Sequence, residues 1–284
     1  MAPKVWLITG AASGFGRETT ERALERGDNV VATDVVPEGI AGLQSRYPSD
    51  RLLVLKLDVS DNKDIEDGFA AAKKTFGKLD VVFSNAGYGV ASELEGLPED
   101  IARAHFDVNF WGSCNVGRAA VKFFREDNEP GVGGRLLFTT SVCGIACSPL
   151  IGIYVSSKHA LEGYAQTLAS ELDPAWNIKV TIVEPGPFRT NAAKNMIHVP
   201  VHPAYTDPEC PTVMVRNWLK AFQDVGGDPV KFSKQILRLV DLENPPLRIA
   251  LGKACIHEIE QQSKGVLAGL KEYASWSDDL EYDK

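Results

Sequence analysis

The sequence predicts a doubly wound α/β fold, in which helices cover both faces of a parallel β-sheet. Two observations lead to this prediction. Short apolar segments alternate with helix-length segments through the first two thirds of the chain, an order typical of successive βαβ units. The apolar segments show little alternation of polar and apolar residues, which indicates strands buried on both faces. The chain has 284 residues, 44% of them hydrophobic, so residues 1–284 are predicted to form one domain around a large core.

The predicted elements follow one another in strand–helix order. The predicted strands are Val5–Thr9, Val30–Thr33, Leu52–Leu57, Val81–Ser84, Arg135–Thr140 and Val180–Val183. The spacing of apolar residues predicts helices at Arg17–Arg26, Asn62–Phe76, Asp100–Phe124 and Ile153–Leu172. Gly27 directly follows the first helix, and glycine commonly ends helices.

The chain changes character after residue 187. Residues 188–212 are rich in proline, with histidine and aromatic residues among them, and an irregular segment of this length in a compact domain is usually functional or mobile. Further elements are predicted as helices at Thr212–Phe222, Val230–Leu242 and Ala254–Tyr273, a strand at Leu247–Leu251, and a frayed acidic tail at Ser277–Lys284. We expect a substrate-binding lid at about residues 188–225.

Composition argues against several classes of function. The chain carries 38 acidic and 30 basic residues, a formal net charge of −8, and such a chain is a poor binder of nucleic acid or anionic membranes. Its five cysteines are scattered, which indicates reduced thiols rather than a disulfide framework or a metal site. No segment resembles a signal peptide or reaches the roughly 20 apolar residues of a membrane span. We expect a cytoplasmic protein with no bound metal, no nucleic-acid partner and no membrane span.

A glycine-rich turn joins the first strand to the first helix. It reads Thr9-Gly10-Ala11-Ala12-Ser13-Gly14-Phe15-Gly16. Glycine here lets the backbone turn sharply and approach a pyrophosphate at the helix N-terminus. Glycines also mark ordinary turns, but the strand before and the helix after favour a Rossmann-type dinucleotide site.

Asp34 bears on which dinucleotide would bind. It lies at the end of the second strand, where a carboxylate can accept hydrogen bonds from the adenosine ribose and would repel a 2′-phosphate. An aspartate at this position can also serve as a turn or helix-capping residue. The sequence therefore favours NAD, while Arg17, a potential phosphate partner, leaves NADP as the second alternative.

Tyr154 and Lys158 lie four residues apart at the start of a predicted helix and therefore share one face. An ammonium near a phenol lowers the phenol's pKa from about 10, which suits acid–base chemistry near neutral pH. Such pairs are also common as structural features. Ser141 follows the fifth predicted strand, at the sheet edge where open α/β folds bind ligands, so the three residues form a candidate catalytic group.

Together these motifs resemble those of the short-chain dehydrogenase/reductases. The matching positions are Thr9-Gly10-x-x-x-Gly14-x-Gly16, Asn85-Ala86-Gly87, Asn109, Ser141, Tyr154-x-x-x-Lys158, and Pro185-Gly186 with Thr190. The glycine spacing is similar to that of the compact, single-domain branch. The stretch 135–190 is similar to members that act on steroids, retinoids and other hydrophobic alcohols or ketones. Ser84 stands where many members have asparagine, and nothing after Thr190 matches a family motif.

The resemblance implies hydride transfer between a nicotinamide cofactor and an alcohol or carbonyl group. Tyr154 would be the general acid/base, and Ser141 would stabilise charge on the substrate oxygen. Lys158 would tune Tyr154 and hold the nicotinamide ribose, and Asn109 would hold a water that links Lys158 to solvent. The cofactor contacts would be Gly10, Ser13, Gly14, Phe15, Gly16, Asp34, Asp58, Val59, Asn85, Ala86, Gly87, Tyr154, Lys158, Pro185, Gly186 and Thr190. Structural roles remain open for Asn109, as a helix kink, and for Thr190, as an N-cap.

The substrate pocket has weaker support in the sequence. Its candidate walls are Tyr88, Cys143, Ile145, Leu150, Ile151, Phe188, Met196, Tyr205, Met214 and Trp218, which are mostly apolar or aromatic, as is usual for small-molecule pockets. Met214 and Trp218 are equally consistent with core packing, because they lie four residues apart on a predicted helix.

Two other functions and the assembly state also stay open. A dinucleotide-binding regulatory protein without turnover, or a lyase or epimerase on the same fold, would share the cofactor motifs. The resemblance implies a homodimer or homotetramer built on the helices Asp100–Phe124 and Ile153–Leu172. Small residues on the second helix, Ala160, Gly163 and Ala169, would allow close approach of the partner.

Overall fold

The computed structural model describes residues 3–221 and 226–282. Seven parallel strands form its central sheet, and helices cover both faces. The strands are β1 (Val5–Thr9), β2 (Asn29–Asp34), β3 (Leu52–Lys56), β4 (Val81–Ser84), β5 (Val90–Ala91), β6 (Gly134–Thr139), β7 (Ile178–Pro185), β8 (Ile197–His198) and β9 (Arg248–Leu251). The helices are α1 (Gly14–Arg26), α2 (Ala41–Gln44), α3 (Asn62–Phe76), α4 (Glu99–Phe106), α5 (Ser113–Glu126), α6 (Gly152–Glu171), α7 (Pro211–Ala221), α8 (Pro229–Val240) and α9 (Lys253–Glu272).

The order of the strands creates a crevice at the middle of the sheet's carboxyl edge. Across the sheet the order is β3-β2-β1-β4-β6-β7-β9, and each neighbouring pair is parallel. The chain moves outward from β1 to β3 and then returns to build outward from β4, so the direction reverses between β1 and β4. Ligands of open α/β sheets bind at such a switch point. The doubly wound, Rossmann-type fold predicted from the sequence is confirmed.

Two apolar clusters, one on each face of the sheet, explain the unbroken apolar runs of the strands. Trp6 and Leu7 are neighbours on β1 and are both fully buried, yet they belong to different clusters. Trp6 packs with residues of α1 and α8, whereas Leu7 packs with residues of α3, α5 and α6. Successive strand residues point to opposite faces, so a sheet covered on both sides needs apolar residues at every position.

Most predicted elements are present with boundaries shifted by one or two residues. α3 and β4 have the predicted bounds, and β2 runs to Asp34, which is thus the last residue of a strand. The predicted helix Asp100–Phe124 is interrupted, because α4 passes into a π-helical segment, Asp107–Gly112, before α5 begins. The predicted helix end at Phe222, residues 222–225 of the predicted lid, and the last two residues of the predicted tail lie outside the described residues.

The segment after β7 is largely irregular, as expected, but it is attached to the body of the domain at two places. β8 pairs with β5 in a two-stranded sheet that the sequence did not predict. Arg216 of α7 forms an ion pair with Glu93 at 2.9 Å, and the two side chains are only 11% and 1% exposed. The Glu93 carboxylate also accepts a hydrogen bond from the His202 backbone N–H. These contacts hold the segment against the carboxyl edge of the sheet.

α9 packs on the domain only near its start. Cys255 is its buried residue in the described structure, and its thiol donates a hydrogen bond to the backbone oxygen of Glu184 at 3.1 Å. Farther along, Val266, Leu267 and Leu270 are exposed. None of the helices in the described part of the chain is long and apolar enough to cross a membrane.

Candidate active site

A cavity of about 820 Å³ lies at the carboxyl edge of the sheet. Its wall contains most of the residues that the sequence predicted, namely Gly10, Ser13, Gly14, Phe15, Asp34, Asp58, Val59, Asn85, Ala86, Gly87, Ser141, Tyr154, Lys158, Pro185, Gly186 and Thr190. Gly16 and Asn109 lie behind this wall and do not line it. The structure therefore brings the glycine turn and the candidate catalytic residues to one cavity.

The glycine turn has the geometry of an anion-binding site. Gly10 has a φ of 69°, a left-handed conformation that glycine adopts without steric cost. A Cβ at Gly16 would overlap the Gly10 carbonyl oxygen, so glycine lets α1 begin close against the end of β1. The first turn of α1 holds no acidic residue, and the free N–H groups of a helix N-terminus attract anions. The turn fits the pyrophosphate of a dinucleotide.

Asp34 is held firmly at the end of β2. Its two carboxylate oxygens accept hydrogen bonds from the backbone N–H groups of Ala12, at 2.9 Å, and Val36, at 3.0 Å. The side chain also lines the cavity, and a carboxylate has further lone pairs for hydroxyl donors. Arg17 points elsewhere, since its guanidinium donates to the Gly39 backbone oxygen at 2.7 Å and does not line the cavity.

Asn85 joins the ends of three neighbouring strands. Its side-chain amide donates to the Thr9 backbone oxygen at 3.0 Å, and its backbone N–H donates to the Thr9 hydroxyl at 2.9 Å. The Thr139 hydroxyl of β6 donates to the Asn85 side-chain oxygen at 3.3 Å. These bonds fix β1, β4 and β6 where the cavity opens, so the wall formed by Asn85, Ala86 and Gly87 is rigid.

The far side of the cavity is formed by the end of β7 and the residues that follow it. Pro185 is the last residue of β7, and Gly186 donates its N–H to the Leu251 backbone oxygen at 2.9 Å. The Thr190 hydroxyl accepts a hydrogen bond from the Ala192 N–H at 3.2 Å, in a turn and not at the start of a helix as the N-cap alternative would require. Thr190 also packs against Gly14, 3.4 Å from an ideal Cβ there, so both sides of the cavity meet at the glycine turn.

Ser141, Tyr154 and Lys158 meet in the wall between these two sides. The Ser141 hydroxyl accepts a hydrogen bond from the Cys143 N–H at 3.1 Å, which caps a short 3₁₀ turn, Val142–Gly144. Tyr154 and Lys158 lie one turn apart on α6, with Lys158 Nζ 5.6 Å from the centre of the Tyr154 ring. Nζ donates to the Thr139 backbone oxygen at 2.8 Å. The ammonium is therefore fixed at the end of β6.

Burial sets the acid–base properties of this group. Burial and the nearby Cys143 raise the pKa of Tyr154 above its ordinary value of about 10, although a hydrogen bond with Ser141 lowers it. Burial lowers the pKa of Lys158 to about 8, while the charge of Glu162 raises it. The sequence led to the expectation that Lys158 brings the Tyr154 pKa below 10, whereas burial acts on this pKa in the opposite direction. A phenol whose pKa is raised by burial keeps its proton at neutral pH.

Asn109 and His105 form a buried polar pair behind Tyr88 and Tyr154. The Asn109 side chain accepts from the Tyr88 N–H at 3.0 Å and donates to the Tyr88 backbone oxygen at 2.9 Å. His105 Nε2 lies 3.0 Å from the same oxygen, and burial lowers the pKa of His105 to about 4. His105 was not predicted as a site residue, although its four-residue spacing from Asn109 places both on one helix face. Asn109 also lies in the π-helical segment, in line with the alternative role as a helix kink.

A buried charge network near the candidate catalytic residues was also not predicted from the sequence. Arg248 of β9 forms ion pairs with Glu162 of α6 and Glu184 of β7, and each carboxylate side chain is only 5% exposed. Burial raises the pKa of both carboxyls, whereas Arg248 lowers it. The sequence offered only the helical spacing of Lys158 and Glu162 as a signal, because Arg248 lies 86 residues from Glu162.

The candidate substrate walls divide into two groups. The residues that line the cavity are Tyr88, Cys143, Ile151, Phe188, Met196 and Trp218. The residues that do not line it are Ile145, Leu150, Tyr205 and Met214.

Each residue of the second group has a local reason for its position. Leu150 is buried in the body, where its carbonyl accepts from the Ser92 N–H at 2.7 Å. The Tyr205 hydroxyl donates to the Glu95 carboxylate, and Met214 faces solvent with 59% exposure. Ile145 ends the 3₁₀ turn after Ser141. These four of the ten candidate residues therefore lie outside the wall of the described cavity.

The chain is similar to known proteins over most of its length. A family model described as short chain dehydrogenase matches residues 4–199. An uncharacterized oxidoreductase of Schizosaccharomyces pombe is 36% identical over 265 residues, which cover 92% of this chain and 86% of that protein. The 3-ketodihydrosphingosine reductase of Bacteroides thetaiotaomicron is 29% identical over 255 residues and 89% of each protein. The crystal structure of a short-chain dehydrogenase from Streptomyces avermitilis is similar with a TM-score of 0.88 and 33% identity over 99% of each chain.

Proposed function

The chain belongs to the short-chain dehydrogenase family, and from this premise we propose that it transfers a hydride between a nicotinamide dinucleotide and an alcohol or carbonyl carbon of an apolar substrate. The observation that carries the proposal is the meeting of Ser141, Tyr154 and Lys158 in the cavity that begins at the glycine turn. Family membership makes the chain a dehydrogenase or reductase. The roles of its residues are inferred from the geometry.

The residues of the cavity fit the parts of a dinucleotide. The N-terminus of α1, with Gly10 and Ser13, would hold the pyrophosphate. Asp34 would accept hydrogen bonds from the adenosine ribose, with Asp58 and Val59 beside the adenine. The nicotinamide end would lie between the wall at Asn85 and the residues that follow β7. When bound, the dinucleotide supplies or accepts the hydride.

Tyr154 would move the proton. As a neutral phenol it donates its hydroxyl proton to the oxygen of a carbonyl substrate, and solvent later returns a proton to the phenolate. In the direction of alcohol oxidation, the phenol oxygen of Tyr154 must first lose its own proton so that it can accept one from the alcohol. Ser141 would donate a hydrogen bond to the substrate oxygen as negative charge develops there. Lys158, fixed by the Thr139 backbone oxygen, would hold the nicotinamide ribose and stabilise the phenolate after transfer.

Asp34 favours NAD as the cofactor. Two backbone N–H groups hold its carboxylate at the cavity wall, where a 2′-phosphate would meet a negative charge. Arg17 supports the NADP alternative less well, because its guanidinium bonds Gly39 and does not line the cavity.

The substrate is proposed to be an apolar alcohol or ketone. Ile151, Phe188, Met196 and Trp218 contribute apolar surface to the cavity wall, and such surface binds apolar groups by releasing water. The Bacteroides relative is named a 3-ketodihydrosphingosine reductase, which is consistent with this class. Residues 188–225 are proposed as the lid over this end. A cytoplasmic location and a homodimeric or homotetrameric assembly stay predictions.

A panel of alcohols and ketones, followed through nicotinamide absorbance with NAD(H) and with NADP(H), tests this function. We expect net oxidation or reduction of the cofactor with at least one apolar substrate, and none with the Tyr154→Phe variant under the same conditions. Product formation without net cofactor change would indicate a lyase or epimerase instead. Cofactor binding without turnover of any substrate would favour a regulatory protein.

A further inference from the structure

Glu162 is a buried acidic residue near the proposed catalytic residues, and it does not line the cavity. It follows Lys158 by one turn of α6, so both side chains extend from one face of the helix. Its side chain is 5% exposed. An ideal Cβ at Gly144 would lie 2.7 Å from Glu162 Cγ and 2.8 Å from Oε1, which places the carboxyl against the 3₁₀ turn that Ser141 caps. Glu162 therefore adjoins the 3₁₀ turn next to Ser141 and shares a helix face with Lys158.

Lys158 is surrounded by groups that are mostly neutral. Tyr154 and Glu162 face it from its own helix, Cys143 faces it from the 3₁₀ turn, and His105 faces it from α4. Burial raises the pKa of Tyr154 and of Cys143 and lowers that of His105 to about 4, so these three groups are uncharged at neutral pH. Glu162 is thus the anionic group beside the buried ammonium.

Arg248 holds Glu162 in its ionised form. It reaches from β9 to the carboxylates of Glu162 and Glu184, and its second nitrogen donates to the Gln166 side-chain oxygen at 2.7 Å. An ion pair opposes the loss of charge that burial favours.

We propose that Glu162, held by Arg248, is a positioning residue that keeps Lys158 protonated in the active site. The proposal rests on the proposed function, because Lys158 serves there as a cation. Glu162 would act through its negative charge and not by contact with substrate or cofactor. Glu184 has a different part, because its carboxylate binds Arg248 from β7 and not from the helix that carries Lys158.

The titration of the Lys158 ammonium tests this inference without any turnover. Protein labelled with ¹⁵N-lysine gives the protonation midpoint of each Nζ by NMR, and the Lys158 signal is the one absent from Lys158→Met. We expect a midpoint near the value of about 8 in the wild type. In Glu162→Gln the midpoint should fall by about one pH unit or more, because a buried opposite charge nearby typically shifts a pKa by about 1–3 units.

Glu184→Gln is the matched control, since it neutralises the other carboxylate bound to Arg248. Glu184→Gln should not lower the protonation midpoint of Lys158. Glu162→Asp retains the charge, so its Lys158 midpoint should stay nearer that of the wild type than the midpoint in Glu162→Gln does. If Glu162→Gln does not fold, Glu162→Met has similar volume, leaves no unpaired polar group, and should lower the midpoint likewise. An unchanged midpoint in a folded neutral variant, or equal lowering by Glu184→Gln, would overturn the proposal.

Turnover adds a second readout. In the wild type the activity should decline as pH rises through the midpoint of Lys158, and this decline should begin at lower pH in Glu162→Gln. A merely structural role would lower activity at every pH without moving the profile. If no substrate is found at all, the proposed function fails while the NMR titration still decides the role of Glu162.

Discussion

Tyr154 and Lys158 show that solvation controls the chemistry of single residues in this site. Burial disfavours charge on both side chains, so it raises the pKa of the phenol and lowers that of the ammonium to about 8. Lys158 therefore loses its proton as pH rises through about 8, while Tyr154 still holds its own. A neutral phenol beside a cation is ready to give a proton to a carbonyl oxygen. Alcohol oxidation needs the phenolate and should be favoured by higher pH up to the loss of the Lys158 charge.

Replacement of Asp34 tests the cofactor preference. We expect the wild type to show higher kcat/KM with NAD than with NADP, and Asp34→Ala to lower that ratio by about tenfold or more, because the repulsion of the 2′-phosphate disappears. Steady-state kinetics with both cofactors measures the ratio. Glu38→Gln, which neutralises an exposed carboxylate on the following turn, should leave the ratio unchanged. A wild type that is more efficient with NADP would contradict the assignment.

Residues identified by local spacing were placed well from sequence, and residues defined by distant partners were not. Tyr154 and Lys158 were paired by one helical turn, and both line the cavity. Glu162 could not be identified in this way, because its partner Arg248 is remote in sequence. Tyr205 and Met214 were assigned to the pocket by their apolar character alone. Side-chain direction there depends on contacts such as Tyr205 with Glu95, which leave no local pattern.

At the scale of elements, regular amphipathic segments were predictable and interruptions were not. Asn62–Phe76 was predicted with its observed ends, since Asp61 caps its start and Gly77 its end. The break between α4 and α5 follows from tertiary bonds, because the Asn109 side chain is committed to the backbone of Tyr88. The β5–β8 pairing joins two strands from distant parts of the chain. Each strand has only two residues, which is too short for an alternation of polar and apolar residues to be detected.

The lid segment is expected to close over ligand while the Glu93–Arg216 ion pair keeps it attached. Asn191, Met196 and Trp218 line the cavity, so bound cofactor and substrate analogue should increase protection of residues 188–221 from hydrogen exchange. Equal protection with and without ligand would rule this out.

Loss of the buried ion pair should loosen the same segment. Glu93→Gln removes one charge and leaves the Arg216 guanidinium buried without its counter-ion, so exchange in residues 188–221 should become faster. Glu99→Gln is the control, because its ion pair with Arg103 lies on the surface, with side chains 78% and 75% exposed, and such pairs contribute little. If exchange became faster to the same extent in both variants, the Glu93–Arg216 ion pair would not be the contact that holds this segment in place.

At the scale of the whole molecule, the strand order explains why distant motifs converge. Each parallel strand ends at the same edge, and the reversal between β1 and β4 opens a crevice between the loops that follow them. The glycine turn, Asn85, Ser141 and Pro185 follow or end β1, β4, β6 and β7. A chain with several such motifs after successive strands must therefore assemble them around one cavity, which is why this part of the site was predictable.

Assembly is the open property at this scale. The outer face of α6 contains Gly163, and no atom lies within 4 Å of an ideal Cβ at this position. Trp111, in the π-helical segment that precedes α5, is 52% exposed. We expect light scattering at micromolar concentration to give the mass of a dimer or tetramer, and Gly163→Arg to lower that mass by blocking helix approach. Ala70→Arg, on the exposed side of α3, should not. A monomeric wild type would contradict the proposed assembly.

The turnover of Tyr154→Phe, measured beside a cofactor-binding titration, tests the proposed mechanism most directly. Phenylalanine keeps the ring but removes the group that exchanges a proton with the substrate oxygen. Since general acid–base catalysis contributes about 10²–10⁴-fold, we expect turnover to fall by at least that order while cofactor affinity stays nearly unchanged. Ser141→Ala should cost less, about 10²–10³-fold, as the loss of one hydrogen-bond donor does, and Lys158→Ala should reduce both turnover and cofactor affinity. Near-normal turnover by Tyr154→Phe, on a substrate that the wild type converts, would contradict the mechanism.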